Sequence, residues 1–275
     1  MPAPTPVVVV TGCSSGIGRA SVEALAKAGT RVVATARRLD AIAELAGPAV
    51  ETLRLDVADD ASRAAAVAEV LRRHGRIDAL VNNAGHGATV SVEETTPEAF
   101  RAMLEVNVVG AHDLARRVLP TMRAQGHGRI VNVASVAGHV PVPLMGAYCA
   151  SKFALRALTQ TLDMEVRRFG VRALLVEPGP IATRFGERAT AESQLQVPDP
   201  ESSPYAGLYR KWFRMRGDGG RGVAPARVAR KVVHACLAAH PKAHQFVPAS
   251  AKAANLAKRL LPDSWIAAGM RTYFR

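Results

Sequence analysis

The sequence predicts an α/β protein built on a doubly wound parallel sheet, as a single domain. Three observations carry this. Short apolar, β-branched runs alternate with longer helical patterns at regular spacing from residue 6 to residue 176. A glycine-rich turn, TGCSSGIG at residues 11–18, joins the first run to the first helical pattern. Polar or conformationally special residues recur at or just after the ends of the runs: Thr11, Arg37, Asp56, Asn82, Ser135 and Pro178. Ligands of open parallel sheets bind beyond the carboxyl ends of the strands, so this recurrence predicts one site assembled from many loops.

Residues 6–10 read as a buried strand, a β-branched run between Pro and the glycine turn. The helical pattern that follows runs to Ala28 and stops at Gly29. Glycines between a strand and a helix let the backbone approach a pyrophosphate, and the helix N-terminus offers free N–H groups and a positive dipole end. The spacing is G-x-x-x-G-x-G. Residues 31–36, RVVATA, form the second strand. Nucleotide folds usually place a carboxylate at its end to hold the adenosine ribose of NAD. Here Ala36 is followed by Arg37 and Arg38. No carboxylate repels a 2′-phosphate, and guanidinium groups bind one well, so NADP(H) is preferred over NAD(H), which stays possible.

A helix at 39–46, a strand at 50–55 ending in LDV, a long helix at 58–74 and a strand opening at 79–81 into NNAG follow. A helix spans 97–110, contains Asn107 and continues towards Leu119. Residues 129–134 are a strand ending at Ser135, and 171–176 a strand leading into EPGPIATRF. Residues 184–222 break the pattern. They are polar, Gly- and Pro-containing and carry Tyr205, Tyr209, Trp212, Phe213 and Met215, which predicts a lid with a lipophilic inner face or, as the alternative, a surface helix packed on the body. A helix at 225–240, a short strand at 245–248, an amphipathic stretch at 251–261 and an aromatic-bearing segment at 263–274 complete the chain.

Between the fifth and sixth strands, AYCASKFAL at residues 147–155 sets Tyr148 and Lys152 four residues apart. On a helix both leave the same face. A phenol titrates near ~10, and an adjacent ammonium favours the phenolate, bringing the group towards acid/base work. Alone, the pair is a weak signal, because such pairs are common on helices.

With 275 residues, 48% of them hydrophobic, the chain can bury a full core. Its three cysteines are too few and scattered for a disulfide framework or metal cluster, which fits a reduced, cytoplasmic setting. Cys13 and Cys149 read as packing residues, and His86, His139 and the other histidines as structural or solvated. No signal peptide or membrane span is expected. The net charge of +13 is uneven: residues 205–275 hold 14 Lys+Arg against 2 Asp+Glu. That basic quarter could contact an anionic membrane peripherally or an acidic partner; no nucleic-acid motif accompanies it.

Taken together, TGCSSGIG, LDV, NNAG, Asn107, Ser135, YCASK and PGPIAT stand in an order that closely resembles the short-chain dehydrogenase/reductases. The resemblance covers about residues 7–183. It implies a Rossmann-like core at residues 1–183, with residues 184–275 a variable substrate lid and C-terminal extension of the same domain. It implies that Tyr148 is the general acid or base, that Lys152 lowers its pKa and binds the nicotinamide ribose, that Ser135 orients the carbonyl oxygen and that Asn107 holds a water relay. Gly12, Ser14, Ser15, Gly16, Ile17 and Gly18 would line the pyrophosphate, with Arg37 and Arg38 at the 2′-phosphate. Asp56 and Val57 would meet the adenine, Asn82, Asn83, Ala84 and Gly85 would support the cofactor, and Pro178, Gly179, Ile181 and Thr183 would meet the nicotinamide end. No metal is implied, and a homo-dimer or homo-tetramer is.

The TGCSSGIG motif, TARR and the aromatic segment resemble the hydroxysteroid and retinol dehydrogenase branch, which implies a lipophilic alcohol/ketone substrate. Two other readings stay open: a 3-oxoacyl thioester reductase that docks an acidic carrier protein, and a non-catalytic NADP-binding scaffold or sensor.

Overall fold

The computed structural model describes residues 4–216, 222–248 and 260–274. Seven parallel strands form one sheet in the order β3-β2-β1-β4-β5-β6-β7. They are β1 (Val7–Val10), β2 (Arg31–Ala36), β3 (Val50–Arg54), β4 (Ala79–Asn82), β5 (Gly128–Val133), β6 (Val171–Pro178) and β7 (His244–Val247). The order reverses direction beside β1, so the connections leaving the paired strands β1 and β4 part there and open a crevice at their carboxyl ends.

The run VVVV is continuous rather than alternating because β1 is covered on both faces. Val8 and Val10 point into one core, packed under α1 (Gly16–Lys27) through Val22 and Leu25 and under the helix Pro225–Leu237 through Val228 and Val232. Val7 and Val9 point into the other, under α2 (Asp60–His74) through Ala66 and Val70 and under Leu114 and Val118. α2 starts on an Asp59 cap that accepts from Ala61 and Ser62 N–H, and ends at Gly75 in the left-handed region.

One sequence expectation is corrected and two are refined. Residues 39–46 form only a 3₁₀ segment, Asp40–Leu45. The helix begun at Pro97 continues past Asn107 as expected but is not regular. α3 (Pro97–Leu104) passes through a π turn, Glu105–Val109, into α4 (Gly110–Gln125). Asn107 sits in that π turn, whose extra residue shifts the helix register locally. The described part of residues 184–222 takes the helical alternative over much of its length. It holds α6 (Phe185–Gln196) and α7 (Ala206–Arg216), after α5 (Gly146–Val166). On α7, Tyr209 and Trp212, three apart on one helical face, are both buried.

The helix Pro225–Leu237 is α8, and Asp263–Phe274 is α9. Met270 of α9 packs on the cluster containing Tyr209 and Trp212, while Trp265 stays exposed. Most of the amphipathic stretch expected at 251–261 lies outside the described residues. No helix among the described residues is long and apolar enough to cross a membrane.

Candidate active site

The carboxyl ends of β1, β2, β4, β5 and β6 surround one cleft of about 1130 Å³. The glycine turn forms its floor. Thr11 Oγ1 accepts from the N–H groups of Asn83 and Ala84, both at 2.9 Å, and Asn83 Nδ2 donates to the carbonyls of Thr11 (2.9 Å) and Gly12 (3.2 Å). These bonds tie the turn to the end of β4. Gly12 is in the left-handed region, and a Cβ there would stand 2.8 Å from Ala84 Cα. A Cβ on Gly18 would stand 2.4 Å from the Gly12 carbonyl oxygen, so only glycine lets α1 approach the turn this closely. Gly18 therefore serves packing and is not part of the cleft lining, unlike Ser14, Ser15, Gly16 and Ile17. Ser15 makes no side-chain cap to α1. The helix thus brings uncapped N–H groups to the cleft, an arrangement suited to a phosphate.

The end of β2 divides the two arginines. Arg37 lines the cleft and has no ion-pair partner among the described residues. Arg38 does not line it. Its guanidinium bonds Asp40, with Nε 3.1 Å from Oδ1 and a second close contact from Nη2, at an exposed position. Of the two arginines expected at the cofactor, only Arg37 is therefore on the cleft wall. Asp56 and Val57 line the neighbouring wall, where Asp56 Oδ1 accepts from Ala58 N–H at 3.0 Å. Asn83, Ala84 and Gly85 line the cleft as well, whereas Asn82 turns inward, donating to Asn132 Oδ1 (2.8 Å) and the Ala111 carbonyl (3.1 Å).

α5 carries Tyr148 and Lys152 into the cleft opposite Ser135, and all three are lining residues. Ser135 shares a hydrogen bond with the Tyr148 phenol. Lys152 Nζ donates to the Val133 carbonyl at 3.0 Å and lies 5.7 Å from the Tyr148 ring centroid. Burial pushes the phenol up to about 12, against a smaller lowering by the Ser135 bond, and burial brings the Lys152 ammonium down to about 8. In the protein on its own the phenol is therefore raised rather than lowered: burial outweighs the Ser135 bond, and Tyr148 keeps its proton at neutral pH.

Asn107 is buried behind this pair. Its Oδ1 accepts from His86 N–H at 3.0 Å, and its Nδ2 donates to the His86 carbonyl (2.9 Å) and Ser151 Oγ (3.0 Å). A Cβ on Gly85 would stand 2.9 Å from Asn107 Oδ1 and 3.7 Å from Lys152 Nζ, so the bare glycine backbone passes directly between amide and ammonium. Pro178, Gly179, Ile181 and Thr183 form the next wall.

The outer wall is apolar: Val142, Met145, Phe185, Trp212, Phe213 and Met215. The Phe185 ring lies 5.7 Å from that of Tyr148. α7 is held over the cleft by Tyr209 Oη, which donates to Glu94 (2.8 Å) and accepts from Ser91 N–H (3.1 Å).

A sequence profile of the short chain dehydrogenase family matches residues 6–194. The chain is 34% identical over 256 residues to an uncharacterized oxidoreductase, YbbO, of Escherichia coli K12, covering 93% of this chain and 90% of that protein. The chain belongs to the short-chain dehydrogenase/reductase family.

It is also 41% identical over 194 residues to human 17-beta-hydroxysteroid dehydrogenase type 1, covering 66% of this chain and 58% of that one. Among solved structures, a short-chain dehydrogenase from Streptomyces avermitilis superposes with a TM-score of 0.80 at 33% identity, covering 98% of this chain and 97% of that one. A Burkholderia phymatum family member in complex with NAD gives 0.80 at 28% identity and 92% of each chain. One from Burkholderia cenocepacia in complex with NADP gives 0.77 at 26% identity and 97% of each chain. This short-chain dehydrogenase/reductase is accordingly an oxidoreductase that uses a nicotinamide cofactor. The uncapped α1 terminus and the close-packed glycine turn described above fit that group.

Two features of this family member were not legible as site features in its sequence. Arg188 of α6 lines the cleft and donates to Ser15 Oγ at 2.9 Å across 173 positions of chain. His139, expected to be structural or solvated, lines the cleft and meets Glu177 and His244, residues 38 and 105 positions away. No local spacing rule spans such separations. Cys13, Cys149 and Cys236 are free and buried, as packing residues should be, with burial pushing Cys13 and Cys236 up to about 12.

Proposed function

We propose that the protein is an NADP(H)-preferring oxidoreductase that interconverts a lipophilic ketone and its alcohol. One observation carries the reading: the Tyr148 phenol, bonded to Ser135, stands at the foot of a cleft whose outer wall is aromatic and aliphatic. Arg37 on the cleft, with Ala36 in place of a carboxylate, supports NADP(H). The match to a hydroxysteroid dehydrogenase supports the substrate class.

The nicotinamide, when bound, gives or accepts the hydride. The chain supplies the rest. The glycine turn and α1 terminus hold the pyrophosphate, and Arg37 holds the 2′-phosphate. Ser135 and Tyr148 bind the substrate oxygen from one side. Tyr148, which keeps its proton to high pH, donates it to the developing alkoxide. Lys152 holds the ribose and keeps positive charge near the phenol. Asn107 fixes the backbone of His86 and the Ser151 hydroxyl, and so the wall behind Lys152. Phe185 and α7 exclude water. Residues 184–275 act as lid and extension to residues 1–183, in a homo-oligomeric, cytoplasmic protein.

The test is NADPH oxidation with lipophilic ketones, retinal-like aldehydes and 3-oxoacyl thioesters. Turnover is expected on the lipophilic carbonyls. Turnover on thioesters alone would replace this reading with the carrier-protein one. NADPH binding without turnover of any carbonyl would replace it with the scaffold one.

A pH dependence follows from Lys152. Its ammonium is present below about 8 and lost above it, while Tyr148 stays protonated throughout that window. The kcat/KM for NADPH-dependent reduction is expected to fall as pH rises through about 8, approaching about tenfold per unit. Lys152→Arg, whose charge does not titrate there, should show no fall across the same window. A flat wild-type profile would show that the lysine charge is not needed.

A further inference from the structure

The cleft wall holds one polar cluster that hydride transfer does not require. Glu177, in β6, is fully buried. Its two oxygens meet two imidazoles: His139 Nε2 at 2.5 Å and His244 Nδ1 at 2.8 Å. The three donor atoms lie within 4.8 Å of one another, which raises the question of a metal. A zinc-class ion bonds at about 2.0–2.1 Å, which sets tetrahedral ligands about 3.3 Å apart. The observed contacts are shorter than that and are hydrogen bonds.

The bonds also determine which nitrogens donate. The Gln160 amide nitrogen lies 3.3 Å from His244 Nε2 and can only donate. His244 Nε2 therefore accepts, and Nδ1–H donates to Glu177. Burial works to raise the Glu177 carboxyl, but the hydrogen bonds from His139 and His244 hold it below its ordinary value, so it is an acceptor. His139 Nε2–H must then donate to it. That leaves His139 Nδ1, which makes no hydrogen bond among the described residues, on a ring that forms part of the cleft wall.

The backbone that carries this ring is tied to Ser135 and to α5. His139 follows the 3₁₀ turn Val136–Gly138 that Ser135 caps; Gly138 N–H donates to the Ser135 carbonyl at 2.9 Å and His139 N–H to that of Val136 at 3.0 Å. A Cβ on Gly138 would stand 2.8 Å from the Lys152 carbonyl oxygen, so the turn is pressed against α5. Phe246 supports the ring from behind, 5.6 Å between centroids.

We propose that His139 is a substrate-specificity residue, with Glu177 and His244 as positioning residues that present its Nδ1 lone pair to a hydroxyl group on the substrate. The preferred substrate is then a lipophilic ketone that carries a hydroxyl apart from the reacting carbonyl. This rests on the ketone/alcohol reading above. A site that offers a fixed acceptor discriminates against an analogue lacking the hydroxyl, because the acceptor is left unpaired.

The test uses a hydroxy ketone whose extra hydroxyl is tertiary, together with its deoxy parent, bound to the full chain loaded with NADP⁺; neither ligand has a carbinol hydrogen to give, so this pairing cannot transfer hydride. Wild type is expected to bind the hydroxy ketone about tenfold tighter, and His139→Phe to bring the ratio to about one. His139→Gln, which keeps an acceptor, should recover part of it, and serves if the Phe variant does not fold. In NADPH-driven turnover the same preference should appear in KM rather than kcat. Equal affinities in wild type, or a preference that survives in His139→Phe, would overturn the proposal. So would stoichiometric zinc binding that is lost in Glu177→Gln. Silence of both ketones in turnover would instead overturn the proposed reaction, while the two affinities would still decide the role of His139.

Discussion

Tyr148→Phe is expected to lower carbonyl reduction by roughly 10²–10⁴-fold, the range associated with losing a positioned general acid. The substitution removes one oxygen and leaves the ring in its contacts with Phe185 and Gly87. Folding and NADPH affinity should stay near wild type, so the loss should sit in kcat. The partner of the lost hydroxyl is Ser135, whose Oγ also accepts from Ala137 N–H at 3.1 Å and so keeps its orientation. Single-turnover reduction by preloaded NADPH separates the chemical step from binding. Wild-type rates in the variant would remove Tyr148 from the mechanism and leave Ser135 or water as the proton donor.

Arg37→Asp is expected to weaken NADPH binding by about 10–100-fold, since a hydrogen bond to a charged group is worth about 1.5–3 kcal/mol. The new carboxylate would also repel the 2′-phosphate and could accept from the ribose hydroxyls of NADH, so NADH should bind as well as before or better. Arg37 is exposed, so salt screens the effect, and the NADPH penalty should be largest at low ionic strength. Arg38→Asp is the built-in comparison. Arg38 already pairs with Asp40 away from the cleft wall, and its loss should leave the NADPH/NADH ratio nearly unchanged. Equal weakening of both cofactors by Arg37→Asp would show that this guanidinium does not read the phosphate.

The contrast between the two arginines shows where sequence reading stops. Both follow the same strand, one position apart, and no periodic rule separates them. Asp40, two residues beyond Arg38, takes one guanidinium, and the cleft takes the other. Asn82 and Asn83 divide in the same way. Successive residues leaving a strand point to opposite sides, so one amide enters the chain Asn82–Asn132–Thr159 in the interior and the other pins the glycine turn.

The alternation of strands and helices, the glycine turn and the Tyr148/Lys152 spacing were legible because each is set by neighbours in sequence. Backbone sterics, β-branching and the 3.6-residue helical period act over a few positions, and the motifs inherit that locality. What only the tertiary structure decided was the environment of each group. It turned the lysine-lowered phenol expected from spacing into a buried phenol held near about 12. It folded residues 185–216 into two helices because Tyr209 and Trp212 found a buried face to occupy. It also brought together His139 from the turn beyond β5, Glu177 from β6 and His244 from the start of β7. Burial and long-range contact depend on where the sheet places distant segments, and no short stretch of this chain contains that information.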